Sequence, residues 1–246
     1  MFILFFVIYI PLAMYIGSFI TAIALRISND ESIFAVRSKC DSCGSIINFL
    51  HLIPIIGYIV CKGRCVSCRQ KVSIEYTIWE MLHTMLYINN FIHFYGNIPA
   101  LVCICGITSV LMMISIIDIK TMYIYDAHII ILFIFSILFF CSISSLNITY
   151  ISFISGCIPL LFKVVYEFIR KAITGRYCEV LGMGDVKLLI VPFFFLDFYK
   201  ITVLMELSGL AGVVYSGVLR GRKSNMHYPF APSISVSIYG LFIWFL

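Results

Sequence analysis

Charge is what this sequence has least of. Only 12% of its 246 residues are Asp, Glu, Lys or Arg, against 62% hydrophobic residues and a mean hydropathy of +1.05. Soluble domains carry roughly 25% charged residues, so a soluble fold with a polar shell is excluded. A glycine-rich nucleotide loop of Rossmann type is missing as well, so the motifs alone point to no nucleotide-type cofactor. There is no long internal repeat and no low-complexity segment. The first 25 residues lack a basic n-region and a small-residue cleavage site. They read as a retained span and not as a removable signal.

What remains is a series of apolar stretches separated by short polar ones. The expected fold is an all-α polytopic membrane protein of about eight transmembrane helices with a cytoplasmic zinc-binding loop. The first span covers 1–25, a polar loop covers 26–75, and the remaining spans lie within 76–246. They run from about Tyr76 to His93, Ile98 to Ile117, Ala127 to Ser144, Ile148 to Phe168, Val186 to just before Asp197, Lys200 to Leu219 and Pro229 to Leu246. The net charge of +5 is no nucleic-acid signal, because the basic residues sort by connection. Of the 17 Lys and Arg, all but Lys200 fall on one side of this arrangement. The positive-inside rule makes that side cytoplasmic and both termini outside. Asp118, Asp126 and Asp185 then lie at the cytoplasmic face.

Ten cysteines are present, four of them in two C-x-x-C pairs, Cys40/Cys43 and Cys65/Cys68. Two such pairs supply the four thiolates of a tetrahedral Zn²⁺ site, and four thiolates leave no open position, so the metal is expected to be structural. Metal ligation in a reducing compartment fits better than a disulfide framework. Gly44 and Gly63 suit tight knuckle turns, and Arg37, Lys39, Arg64 and Arg69 offset thiolate charge. Cys61 lacks the knuckle spacing.

Two aspartates stand at the mouths of apolar segments. Asp118 closes one; Asp185 opens another, in Gly182-Met183-Gly184-Asp185-Val186-Lys187. Ionisable groups at such positions are costly in lipid and usually face a protein interior or an aqueous cavity. Brought together, two carboxylates share a proton, one acting as base on a water and the other polarising a scissile carbonyl. Asp126 competes with Asp118 for this role, but reads better as a solvated helix cap.

The ordered motifs resemble the type IV prepilin peptidases, the bacterial leader peptidases of the G-x-G-D aspartic membrane proteases. The resemblance covers nearly the whole chain. It is carried by Gly17-Ser18-Phe19, Arg37-Ser38-x-Cys40-x-x-Cys43, Leu52-Ile53-Pro54, Gly57-Tyr58 and Gly63-Arg64-Cys65-x-x-Cys68. It continues in Asp118-x-Lys120, Gly182-x-Gly184-Asp185-x-Lys187-Leu188 and Pro229-Phe230-Ala231-Pro232. It departs from the family pattern at Asp41 and Tyr125, where the family has proline, and in the run Glu75-Tyr76-Thr77-Ile78-Trp79-Glu80.

The resemblance implies that Asp118 and Asp185 are catalytic, with Gly182, Gly184 and Lys187 in support. It implies cleavage of type IV prepilin or pseudopilin precursors after a glycine, on the cytoplasmic side of the bacterial inner membrane. It also implies N-methylation of the new amino terminus from S-adenosylmethionine, with Gly63, Arg64 and Glu80 as candidates for methyl transfer. Glu31, Glu75 and Glu179 could attract a basic leader, though surface solvation explains them equally well. The lipid bilayer is an expected partner and nucleic acid is not. Two other readings stay open at this point. One is a peptidase without methyl transfer; the other is a zinc-stabilised membrane transporter or assembly factor using Asp118 and Asp185 as ion-relay groups.

Overall fold

A computed structural model describes residues 2–33, 38–40, 42–143, 150–174, 181–220 and 228–244. Among them the chain is helical, and its only β pairing is two isolated bridges, Lys39 with Ile46 and Arg64 with Lys71. The eight expected apolar segments are all found as helices. They are α1 (Phe2–Ser28), α3 (Ile74–Phe94), α4 (Ile98–Thr121), α5 (Asp126–Ser142), α6 (Tyr150–Thr174), α7 (Met183–Phe195), α8 (Phe198–Arg220) and α9 (Ala231–Trp244). The loop before α3 adds a 3-10 turn, Phe49–Leu52, and a short helix, α2 (Ile56–Val60). By length and composition α1 and α4 can cross a membrane.

The chain divides into two compact units, Met1–Tyr95 and Gly96–Leu246. In the first, α1 packs along α3. Tyr9 tilts against Phe91 with ring centroids 4.8 Å apart, and its hydroxyl donates to the Tyr87 carbonyl. The opposite face of α1 exposes Phe5, Ile8, Leu12 and Phe19. An apolar face of that extent is unusual on a soluble monomer and suits lipid.

In the second unit α4 is the central element. Its apolar window is 83% buried, where that of α1 is 17% buried. It packs against α5 and α9; α7 packs against α5, α6 and α9, and α8 against α9. Asn97 starts α4 as an N-cap, its side chain accepting from the Ala100 amide at 3.1 Å, the arrangement that satisfies an otherwise orphan donor. The helix ends where Met122 takes a left-handed conformation, φ 54°. Phe139, Phe140 and Phe242 fill the contact between α5 and α9.

Candidate functional site

In the first unit the loop between α1 and α3 is built from two copies of one knuckle. The Cys40 amide donates to the Ser45 carbonyl and the Gly44 amide to the Cys40 carbonyl. Cys65 with Gln70, and Arg69 with Cys65, repeat both bonds. The bridges flanking each copy repeat too. The tight turn needs a left-handed residue. In the first copy it is Gly44, as expected, but in the second it is Arg69, φ 61°, and not Gly63. A non-glycine there costs roughly 1–2 kcal/mol. Gly63 also has positive φ, but it serves a close approach: an added Cβ would lie 2.7 Å from the Tyr58 hydroxyl. Tyr58 therefore closes over a position that only glycine fills.

The two knuckles bring the four thiols together. The Sγ atoms of Cys40, Cys43, Cys65 and Cys68 all lie within 4.8 Å of one another, and Cys40 and Cys68 are 3.8 Å apart. Zn–S bonds of about 2.3 Å in a tetrahedron place sulfurs about 3.8 Å apart, so the donor set fits a metal ion. Cys61 is not part of the group. The environment splits the thiols. Hydrogen bonds from the Cys68 and Ser67 amides hold Cys65 down at about 6. The Ser45 side chain, with its amide, lowers Cys43. Cys68 gains from the Gln70 amide but is pushed up to about 11 by desolvation and by the neighbouring sulfurs. Without a cation the cluster resists carrying four negative charges. Arg37, Asp41 and Glu179 lie outside the described residues.

Beside the knuckles lies a cavity of about 730 Å³, within the range of small-molecule pockets. Gly63, Arg64 and Glu80 all line it, together with Tyr58, Tyr76 and His51. Glu80, on α3, accepts a 3.0 Å hydrogen bond from the Ile55 amide. Ile55 holds φ 63°, a rare conformation for a β-branched residue. One carboxylate thus braces a strained turn in the cavity wall, a link that no sequence spacing signals.

In the second unit Asp118 occupies the last turn of α4 and is 5% exposed. Its Oδ2 accepts from the Ala231 amide at 3.1 Å. Asp185 is half-buried in the first turn of α7, whose N-cap is Gly182, where the helix dipole favours negative charge. Asp118 lies within electrostatic reach of Asp185, and so does the ammonium of Lys163. In the sequence Lys163 is simply one of the 16 basic residues on the cytoplasmic side, in the inner half of its span. The available signal was a lone lysine within an apolar segment.

Gly184 explains how the second aspartate is reached. A Cβ there would lie 3.0 Å from Cβ of Ile124, which is buried. The short connection after α4 therefore lies directly on the G-x-G-D turn. Asp126, expected as a solvated cap, does open α5 and is exposed, but it is also paired: its Oδ1 accepts from Lys187 Nζ at 2.5 Å. Lys187 thus ties α7 to α5.

Comparison with known proteins identifies the family. A family model for the bacterial peptidase A24 N-terminal domain matches residues 12–94. A second, described as the type IV leader peptidase family, matches residues 105–217. A prepilin leader peptidase/N-methyltransferase of Bacillus subtilis is 30% identical over 89% of this chain and 86% of its own length. The chain belongs to the type IV leader peptidase family. Proteins of the same description from Neisseria gonorrhoeae and Aeromonas salmonicida are 29% and 25% identical, over 87% and 85% of this chain and 74% and 71% of theirs. No solved structure matches. As a leader peptidase the chain is an enzyme, and its apolar helices accord with a membrane protein.

Proposed function

We propose that this chain is a prepilin leader peptidase/N-methyltransferase. It removes the basic leader from type IV prepilin-like or pseudopilin precursors after a glycine, and methylates the new amino terminus. The observation that carries the reading is the pairing of Asp118 and Asp185 from α4 and α7, within electrostatic reach of each other. Two carboxylates so placed share one proton. The ionised member takes a proton from water as it attacks the scissile carbonyl, and the protonated member donates to the carbonyl oxygen. The bond from the Ala231 amide orients Asp118 and supports its charge.

The peptidase core is residues 76–246, behind a first transmembrane helix, 1–25, and a zinc-binding loop, 26–75. The protein sits in the bacterial inner membrane with eight crossings, its catalytic face cytoplasmic and both termini outside. The distribution of Lys and Arg supports this sidedness. α7 has 13 residues; its helix spans about 20 Å, a short crossing. The Cys40, Cys43, Cys65 and Cys68 set would hold a structural Zn²⁺ that staples the loop. Glu80, Gly63 and Arg64, which line the cavity, would hold S-adenosylmethionine, and it would supply the methyl group. Mixed polar and aromatic walls and a carboxylate suit a cationic sulfonium ligand.

The test is mass spectrometry of a prepilin-like precursor co-expressed with the wild type and with Asp185→Ala. The expected product is leader-cleaved and one methyl heavier, and it is absent with the variant. Equal processing by the variant overturns the reading.

A further inference from the structure

The face α6 turns outward is strongly apolar, with Leu161, Phe162, Val164, Val165 and Phe168 all exposed. Lys163 lies in the middle of this run, yet it is buried, 7% exposed. A buried ammonium is costly unless its charge and donors are met. Two groups help to meet them. Nζ donates to the Leu181 carbonyl at 2.7 Å, and Glu167, one helical turn along, brings Oε1 to 3.7 Å.

The Leu181 bond is informative because of where it falls. The first bond of the α7 ladder runs from the Val186 amide to the Gly182 carbonyl. The Leu181 carbonyl is therefore one residue outside the helix and needs a donor from elsewhere. Lys163 supplies it, and so fixes the point from which α7 departs. Asp185 follows within the first turn of α7, and Lys163 also lies within electrostatic reach of its carboxyl. The pair of aspartates concentrates negative charge in a poorly hydrated place. One fixed cation beside it offsets that charge without solvent reorganisation.

We propose that Lys163 is a positioning residue of the peptidase: it pins the Leu181–Gly182 turn so that Asp185 faces Asp118, and its ammonium stabilises the negative charge the pair carries. The proposal rests on the reading of the two aspartates as the peptidase pair. Lys163 touches no substrate atom and exchanges no proton in the reaction. It acts through the placement and charge of Asp185. Its effect therefore falls on turnover and not on capture of the precursor.

The experiment uses the full-length chain, purified in detergent or nanodiscs, with a prepilin-like precursor whose basic leader ends in glycine. Steady-state cleavage is measured for the wild type, Lys163→Met, Lys163→Arg and Asp185→Asn, with a thermal melt of each. Lys163→Met removes charge and donors at similar volume. The expected result is a fall in kcat on the order of 10- to 100-fold, with KM within about twofold. Lys163→Arg, which keeps both charge and donors, recovers to within about threefold of the wild type.

Wild-type kcat in Lys163→Met overturns the proposal. So does a loss that Lys163→Arg fails to recover while its melting point matches the wild type. Should Lys163→Met not accumulate in membranes, Lys163→Gln, which keeps a donor without the charge, carries the same expectation. Asp185→Asn separates the two levels. If it cleaves like the wild type, the aspartate reading falls and this proposal with it. If it is inactive while Lys163→Met is unimpaired, only the role of Lys163 is lost.

Discussion

The amide of Ala231 donates to Oδ2 of Asp118 across 3.1 Å, between residues 113 positions apart in the chain. Ala231 is the first residue of α9, where backbone amides have no intrahelical acceptor. Pro232 follows it and needs no acceptor. The Pro229-Phe230-Ala231-Pro232 run thus aims the Ala231 amide at a carboxyl. Ala231→Pro deletes that donor at a position whose helical backbone tolerates proline, and its ring also crowds the Asp118 carboxyl. Cleavage is expected to drop by about 10-fold, the scale of a lost charge-assisted hydrogen bond, while Asp118→Asn abolishes it. A leader-cleavage assay on equal amounts of membrane protein checks both.

Asp126 provides the contrast. Its partner Lys187 is 42% exposed and Asp126 itself 67% exposed, so the pair is screened and worth at most about 1 kcal/mol. Asp126→Asn is expected to keep cleavage within about fivefold of the wild type, with the loss reproduced by Lys187→Met and not doubled in the double variant. Inactivation by Asp126→Asn would transfer the catalytic role from Asp118.

Gly184 is a steric test. Its would-be Cβ meets Ile124 Cβ at 3.0 Å and Cδ1 at 3.2 Å. Gly184→Ala is expected to cost roughly 1–3 kcal/mol of stability by overpacking, and Gly184→Val more. Thermal melts and cleavage rates should decline in that order. A Gly184→Val variant that melts and cleaves like the wild type would show that this contact is not tight.

The metal centre is expected to hold about one zinc per chain, measurable by plasma mass spectrometry. Cys65→Ser lowers occupancy and, by unfastening both knuckles, removes methylation of the product. Leader cleavage persists, since Asp118 and Asp185 belong to another part of the chain. Loss of both activities together would link the loop to peptidase folding.

Glu80→Gln weakens the hold on Ile55, because a neutral acceptor makes a weaker bond than a carboxylate. The expected outcome is cleaved product with at least about fivefold less methyl, read in the same mass spectrum. Unchanged methylation would remove Glu80 from that activity.

Much of the fold was legible in the residues. Hydropathy located all eight long helices, because a segment that is apolar on every side has few alternatives. The C-x-x-C spacing located the thiol cluster, since a knuckle turn is a local structure. The G-x-G-D run marked Asp185. Three of the unread features share one cause: each pairs a side chain with a backbone group distant in sequence. Ala231 with Asp118, Ile55 with Glu80 and Leu181 with Lys163 leave no pattern, because every residue but proline offers an amide and every residue a carbonyl. Arg69 was missed for another reason: the expected glycine was not the residue bearing the left-handed turn.

The burial of Lys163 has a consequence for biogenesis. A lysine at the centre of a crossing helix disfavours insertion by about 2.5–3.5 kcal/mol; Lys163, in the inner half of its span, costs part of that, and Glu167 adds to it. On the eight-crossing arrangement α6 is therefore a poor passenger on its own. Its natural companion is α7, against which it packs and just before which the Leu181 carbonyl receives the lysine. On that arrangement the pair is expected to enter the bilayer as a hairpin, and a nascent chain halted before Leu181 to leave α6 waiting at the translocon.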